Sequence, residues 1–223
     1  PIYAEQGATR ELLPAGNYIA RCYQMIEIGT IADSINGHTT TMKKVRIGWE
    51  LPTELRTFDE AKGEQPLSIS AEYTLSTHKK ATLRAVLASW RGKDFTEEEA
   101  KKFDITSVVG AACMLNIIHK QGVQDPTKMY ERISSISPLP KGVKAPKAMN
   151  NPFVLSYDSW DKDKFSFLPE FIRNRIMSSA EFQKILRPDE TNIPNADDID
   201  EKVLRIEGAF GAKWRKLTHD QII

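Results

Sequence analysis

The chain has only two cysteines among its 223 residues, Cys22 and Cys113, and no Cys-x-x-Cys pair. That excludes a disulfide scaffold, and both thiols are expected to be reduced core residues of a cytoplasmic protein. Long apolar runs are missing as well: none approaches the roughly 18 residues that a membrane helix needs, so no membrane association is expected. Glu5, Arg10 and Glu11 stand where a signal peptide would be apolar, and Pro1 is expected to follow a removed initiator Met. The histidines His38, His78, His119 and His219 are scattered, without metal-ligand spacing. No G-x-x-x-x-G-K-[ST], G-x-S-x-G or H-E-x-x-H occurs, so the chain is expected to be no enzyme and to need no cofactor. An excess of one charge is lacking too, since 31 basic and 30 acidic residues leave +1. What is present is ordinary for a globular chain, 40% apolar and 27% charged residues, in a length ample for a sizeable core.

The charges are unevenly spread. Residues 77–93 contain Lys79, Lys80, Arg84, Arg91 and Lys93 and no acid, and residues 141–147 add Lys141, Lys144 and Lys147. Residues 188–207 hold seven acids against Lys202 and Arg205. This basic middle and acidic late segment point to a charged partner or to an internal competitor for it, against the plain alternative of solvated surface.

Periodicity organises the chain. From Asn17 to Ile28, Tyr18, Ala20, Cys22, Ile26 and Ile28 fall on one face, and Arg21, Tyr23, Met25 and Glu27 on the other. Asn36-Gly37 signals a turn. Val45, Ile47 and Trp49 alternate with Lys44, Arg46 and Gly48 in a second strand, and Leu67 to Leu75 make a third. The period then changes. Thr77 is expected to cap a helix carrying Leu83, Val86, Leu87 and Trp90, with Gly92 ending it, and Thr96 with Glu99 forms a capping box. Cys113 to His119 and Met129 to Ser137 read as a fourth and a fifth strand.

Three strands, a helix and two strands give the connectivity of a five-stranded OB-like barrel, with a β-grasp or a β-sandwich with an inserted helix as competitors. The expected organisation is a lead-in over residues 1–15, the mainly β barrel over 16–140, and an extension over 141–223. The extension holds a basic arm, an amphipathic helix or pair of helices around Pro169, and an acidic stretch.

Two chemical constellations stand out. Glu60–Lys62 and Glu99–Lys101 are E-x-K triplets of the kind that nucleases use with a metal, but the first falls in a turn-rich loop and the second in a helix. The other constellation is cations interleaved with aromatics, as a single-strand binder needs along its phosphate track. Its candidate residues are Arg21 and Tyr23 on strand one, Lys44 and Arg46 on strand two, Lys120 in the four–five loop, and Tyr130 and Arg132 on strand five. Trp49 and Trp90 are expected in the core.

Gly16-Asn17-Tyr18, Ser89-Trp90-Arg91-Gly92-Lys93 with Phe95-Thr96, and the Gly110, Cys113, Asn116, His119 series carry a resemblance. So does Leu168-Pro169-Glu170-Phe171-Ile172 with Ile176 and Ser178-Ser179. Over roughly residues 15–185 the chain resembles the single-stranded DNA-binding proteins of phage and prophage replication modules. The resemblance implies an OB-like fold, no catalysis, and a role in coating displaced strands during replication or recombination in a bacterial host cell. It implies single-stranded DNA as partner, with replication or recombination proteins of the same module and a homodimer as further expectations. It carries no residue-level site motif. It does not extend to the tail, where Lys213, Arg215 and Lys216 follow the acids. The competing readings are a metal-dependent nuclease using Glu60 and Lys62, and a structural or adaptor protein of a phage replication or virion complex.

Overall fold

Alternating apolar residues draw the first half of the chain into one curled antiparallel sheet. The computed structural model describes residues 12–35, 38–122 and 125–187. In it β1 (Gly16–Ile35) pairs with β2 (His38–Asp59), and β2 with β3 (Gly63–Thr74). Helices α1 (Thr82–Arg91) and α2 (Glu97–Lys102) and a 3₁₀ turn at Ile105–Val108 lead to β4 (Ala112–Gln121) and β5 (Met129–Ser137). The sheet order is β3-β2-β1-β4-β5, all antiparallel, which is a mainly β, OB-like half-barrel with its helix between the third and fourth strands. Among the described residues β3 and β5 do not pair. A cleft of about 310 Å³, lined by Phe58, Leu67, Ile69 and Glu131 among others, opens between them.

The barrel core holds Cys22, Ile47, Trp49, Leu115 and Ile117, all fully buried. Helix α1 closes one end. Leu83, Leu87 and Trp90 face inward at helical spacing, and the Trp90 ring lies 5.9 Å from that of Trp49. The Trp90 Nε1 donates to the Ala112 carbonyl at 3.1 Å, so the buried ring keeps its hydrogen bond. Both tryptophans are core residues, as their register requires. Gly92, at φ +68°, ends α1 with the left-handed residue expected there. The Thr96–Glu99 capping box is complete, each side chain bonding the other residue's backbone N–H. Thr77, however, caps nothing: α1 starts later, with Ala81 at its N-cap and no side-chain cap.

The face assignment along β1 also differs from simple alternation. Register shifts between Cys22 and Gln24 and between Glu27 and Gly29 each insert a residue. An extra residue reverses every later side chain. Cys22 and Met25 therefore face the barrel core, while Ile26, Ile28 and Ile31 face away, into a second core.

That second core is built by the end of the described chain. A three-residue strand β6 (Phe153–Leu155) runs parallel to β1 beside Gln24 to Ile26. Helices α3 (Lys162–Phe167), α4 (Glu170–Met177) and α5 (Ala180–Leu186) follow. They are three short helices because Pro169 lacks an N–H and stands at the N-cap of α4, and Ser179 caps α5 by accepting from the Phe182 N–H at 3.2 Å. Phe165, Ile172, Ile176 and Phe182 bury against the three isoleucines of β1. Each such side chain contributes about 1.5–3 kcal/mol on burial. Polar pins fix the docking. Glu181 accepts from the Thr30 backbone N–H at 2.6 Å and hydroxyl at 2.7 Å, and Glu27 accepts from the Tyr157 N–H at 2.9 Å. Gly29, at φ +94°, allows the approach: a β-carbon there would sit 2.7 Å from the Ser179 Cβ.

Candidate nucleic-acid interface

The seven candidate side chains divide into two groups. Lys44 and Arg46 project from β2 away from the barrel core, in the register opposite to Val45 and Ile47. They are not free there. Lys44 lies 3.3 Å from an Asp33 oxygen and Arg46 lies 3.4 Å from Glu72, with side chains only 13% and 18% exposed. The Arg46 guanidinium also sits 5.3 Å from the centre of the Phe171 ring on α4. From the same helix, Arg175 reaches Glu72 at 2.9 Å. Two strand cations and one helix cation thus share Asp33 and Glu72, beneath a helix that crosses the strands.

Arg21 is held as well. Its guanidinium donates to the Gly110 and Pro146 carbonyls, clamping the turn before β4 and the arm that follows β5. Its neighbour across the ladder, Glu50, is fully buried under the same arm. Glu50 accepts from the Met149 N–H at 3.0 Å, the Asn150 N–H at 2.7 Å and the Asn150 side chain at 2.8 Å. Tyr23 occupies the first bulge. It is half-buried, burial pushes its hydroxyl above the ordinary tyrosine value, and a hydrogen bond with Ser68 partly offsets that rise.

Lys120, Tyr130 and Arg132 form the other group, at the far end of the β4–β5 hairpin. Lys120 pairs with Tyr130 and Ile118 with Arg132 in the ladder, so all four share the outward face. The Arg132 guanidinium lies 5.9 Å from the centre of the Tyr130 ring, which is 42% exposed. Lys120 and Arg132 make no ion pair among the described residues. The structure therefore brings Lys120, Tyr130 and Arg132 together and separates them from Lys44 and Arg46, which belong to the covered face.

The basic run around α1 is largely spent inside the fold. Arg84, 5% exposed, donates to Glu97 at 2.9 Å and to the Phe95 carbonyl at 2.6 Å. Arg91 stacks on Phe95 at 4.3 Å and, with Lys93, faces Glu99. Glu97 and Glu99 of α2 thus neutralise Arg84, Arg91 and Lys93, while Lys79 and Lys80 stay exposed. Glu99 is committed to the capping box, and Glu60 lies in the exposed β2–β3 turn. Among the described residues no group of three His, Cys, Asp or Glu side chains is placed to hold a metal ion, and no helix is long and apolar enough to cross a membrane. Both cysteines are buried and free, and burial pushes the Cys22 thiol up to about 12. The Asn36-Gly37 turn, the acidic stretch after residue 187, Phe210 and Trp214 lie outside the described residues.

Sequence reasoning missed Asn17 and Asn116, whose amides join β1 to β4 at 2.8 Å on the same outward face as Lys120. Their signal was their place in the strands: Asn116 alternates with the buried Leu115 and Ile117, which turns it outward, and Asn17 is its partner across the ladder. No family model, curated protein or solved structure matches the chain.

Proposed function

We propose that the protein binds single-stranded DNA without sequence preference and without catalysis, in phage or prophage replication or recombination within the bacterial cytoplasm. The observation that carries the reading is the exposed Lys120, Tyr130 and Arg132 cluster on the hairpin that follows the crossing helix of an OB-like barrel. Cations neutralise phosphates and a flat ring stacks an unpaired base of any identity, a combination that suits a single strand bound without sequence preference. Lys120 lies on β4 and not in the four–five loop where the sequence put it, but the cluster flanks that loop, one of the positions from which OB barrels contact oligonucleotides. Replication or recombination proteins of the same phage module, and a second copy of the chain, are the protein partners this role would involve. The test is a titration of labelled oligo-dT with and without Mg²⁺ at two salt concentrations, with a duplex of equal length as competitor. Salt-sensitive binding is expected, with a log–log slope of about −0.7 per phosphate neutralised and no cleavage product. Equal affinity for the duplex, or no binding, overturns the reading.

One observation favours a second reading, an adaptor role. Phe167 is 85% exposed and Phe171 57% exposed on adjoining helices, an apolar pair available to a protein partner.

A further inference from the structure

In OB barrels generally the ligand groove crosses strands two and three. Here that outer surface is taken. Residues 146–150 lie over Arg21 and Glu50, and α4 lies over Arg46 and Glu72. The cover rests on its own hydrophobic core, so it is part of the fold and not a loosely held flap.

Among the described residues the outer surface of the other half of the sheet carries no such cover. Cys113, Leu115 and Ile117 face the barrel, which turns Met114, Asn116, Ile118 and Lys120 outward along β4. Asn17 on β1 and Tyr130 and Arg132 on β5 continue the same surface. Residues 105–124 and 132–157 contain no Asp or Glu at all, and neither does β1 before Glu27. The acid between them on β5, Glu131, turns to the opposite face and accepts from the Leu13 N–H. Every charge displayed outward by β4, by β5 and by β1 as far as Gln24 is therefore positive.

The lysine arm extends this surface. It leaves β5 at Ser137, beside Met114, and is tied back at Pro146 to Arg21, whose partner on β4 is Ala112. Exposed Lys141 and Lys144 therefore lie at the Ala112 end of β4, and Lys120 lies at the other end. At strand rise the two ends are about 26 Å apart.

We infer that the DNA track has moved off the covered β2–β3 surface and runs along the outer face of β1, β4 and β5. It passes from Lys120, Tyr130 and Arg132, past the Asn17–Asn116 pair, to Lys141 and Lys144. This rests on the proposed function and names the surface that serves it. The occupant is a single strand: phosphates meet the cations at both ends, Tyr130 stacks a base, and the asparagine amides bond sugar or phosphate oxygens without reading sequence.

Charge reversal tests the inference. Lys120→Glu with Arg132→Glu, and separately Lys141→Glu with Lys144→Glu, should each weaken oligo-dT binding at least tenfold. The salt slope should shrink by about 0.7 for each phosphate that is no longer neutralised. Tyr130→Ala should weaken binding roughly tenfold with the slope unchanged. Lys79→Glu with Lys80→Glu, exposed on the turn after β3, should change affinity less than twofold. A second measurement needs no variant. Acetylation of the native protein with and without excess oligo-dT should protect Lys120, Lys141 and Lys144 and leave Lys79 and Lys80 reactive. If the native protein binds oligo-dT while the face variants bind equally well, or while Lys79 and Lys80 are the protected pair, the track lies elsewhere and the proposed function survives. If the native protein binds no oligo-dT, the function itself fails.

Discussion

The two outer halves of this sheet both carry cations and hold them in opposite settings. On the β2–β3 side, Lys44, Arg46 and Arg175 are locked onto Asp33 and Glu72 under a helix. On the β4–β5 side, Lys120 and Arg132 stand beside Tyr130 and make no ion pair among the described residues. A strand position alone sets the direction of a side chain. Whether the charge is available to a ligand is decided by what the rest of the chain lays over it. Partly buried ion pairs of this kind contribute little net stability, because desolvation offsets the attraction. Their removal should disturb packing more than charge balance.

The largest expected effects test whether the two cores act as one. Trp90→Ala empties the barrel end and Phe182→Ala empties the second core. Each should cost about 3–5 kcal/mol, as truncation of a buried aromatic does. Because β1 gives Cys22 and Met25 to one core and Ile26, Ile28 and Ile31 to the other, both variants should shift a single denaturation transition. Tryptophan fluorescence and circular dichroism traces that separate into two steps would show the cores to be independent.

A smaller effect sharpens the contrast between the faces. Arg46→Ala should lower stability by about 1 kcal/mol, through lost packing on Phe171 and a less satisfied Glu72, and leave oligo-dT affinity unchanged. Arg132→Ala should do the reverse, leaving the thermal midpoint within about 1 °C and weakening DNA binding. The opposite pattern, with Arg46 mattering for affinity, would return the groove to the covered side.

The smallest effect is a pH dependence in the cover. Burial pushes the Glu181 carboxyl up, but the hydrogen bonds from Thr30 outweigh it and leave the group below the usual carboxylate value. A carboxyl depressed on folding stabilises above its unfolded value of about 4.3, and the contribution is lost as pH falls through the folded value. Stability of Glu181→Gln should therefore decline less steeply than the native protein's below about pH 4.3. Parallel acid profiles would show that Glu181 does not help hold the cover.

Local patterns in the sequence carried much of the barrel. The β2 alternation of Val45, Ile47 and Trp49, the capping box at Thr96 and the αL stop at Gly92 each depend on a few neighbouring residues, and each is present. The faces of β1 were not legible in this way, because a bulge is decided by its partner strand and erases the period of two. The one hint was Gln24 to Ile28, where Met25, Ile26 and Ile28 are apolar on both faces, as a strand covered on two sides requires. The cover was hidden for a stronger reason. Phe153 to Leu155 is too short to read as a strand, and the contact of Arg46 with Phe171 joins residues far apart in the chain. The availability of each candidate cation depended on those distant contacts.

The distance along the chain also sets an order of events during synthesis. Glu27 meets Tyr157 across 130 residues and Thr30 meets Glu181 across 151. At roughly 5–20 residues per second, a ribosome needs on the order of 10–30 s to deliver Glu181 after Thr30 has been made. Through that interval the nascent β1–β2 hairpin carries Ile26, Ile28 and Ile31 with no covering helices. The newborn protein is thus an incomplete sheet with a greasy outer stripe, and its exposure to chaperones and to neighbouring chains ends only when α5 leaves the exit tunnel.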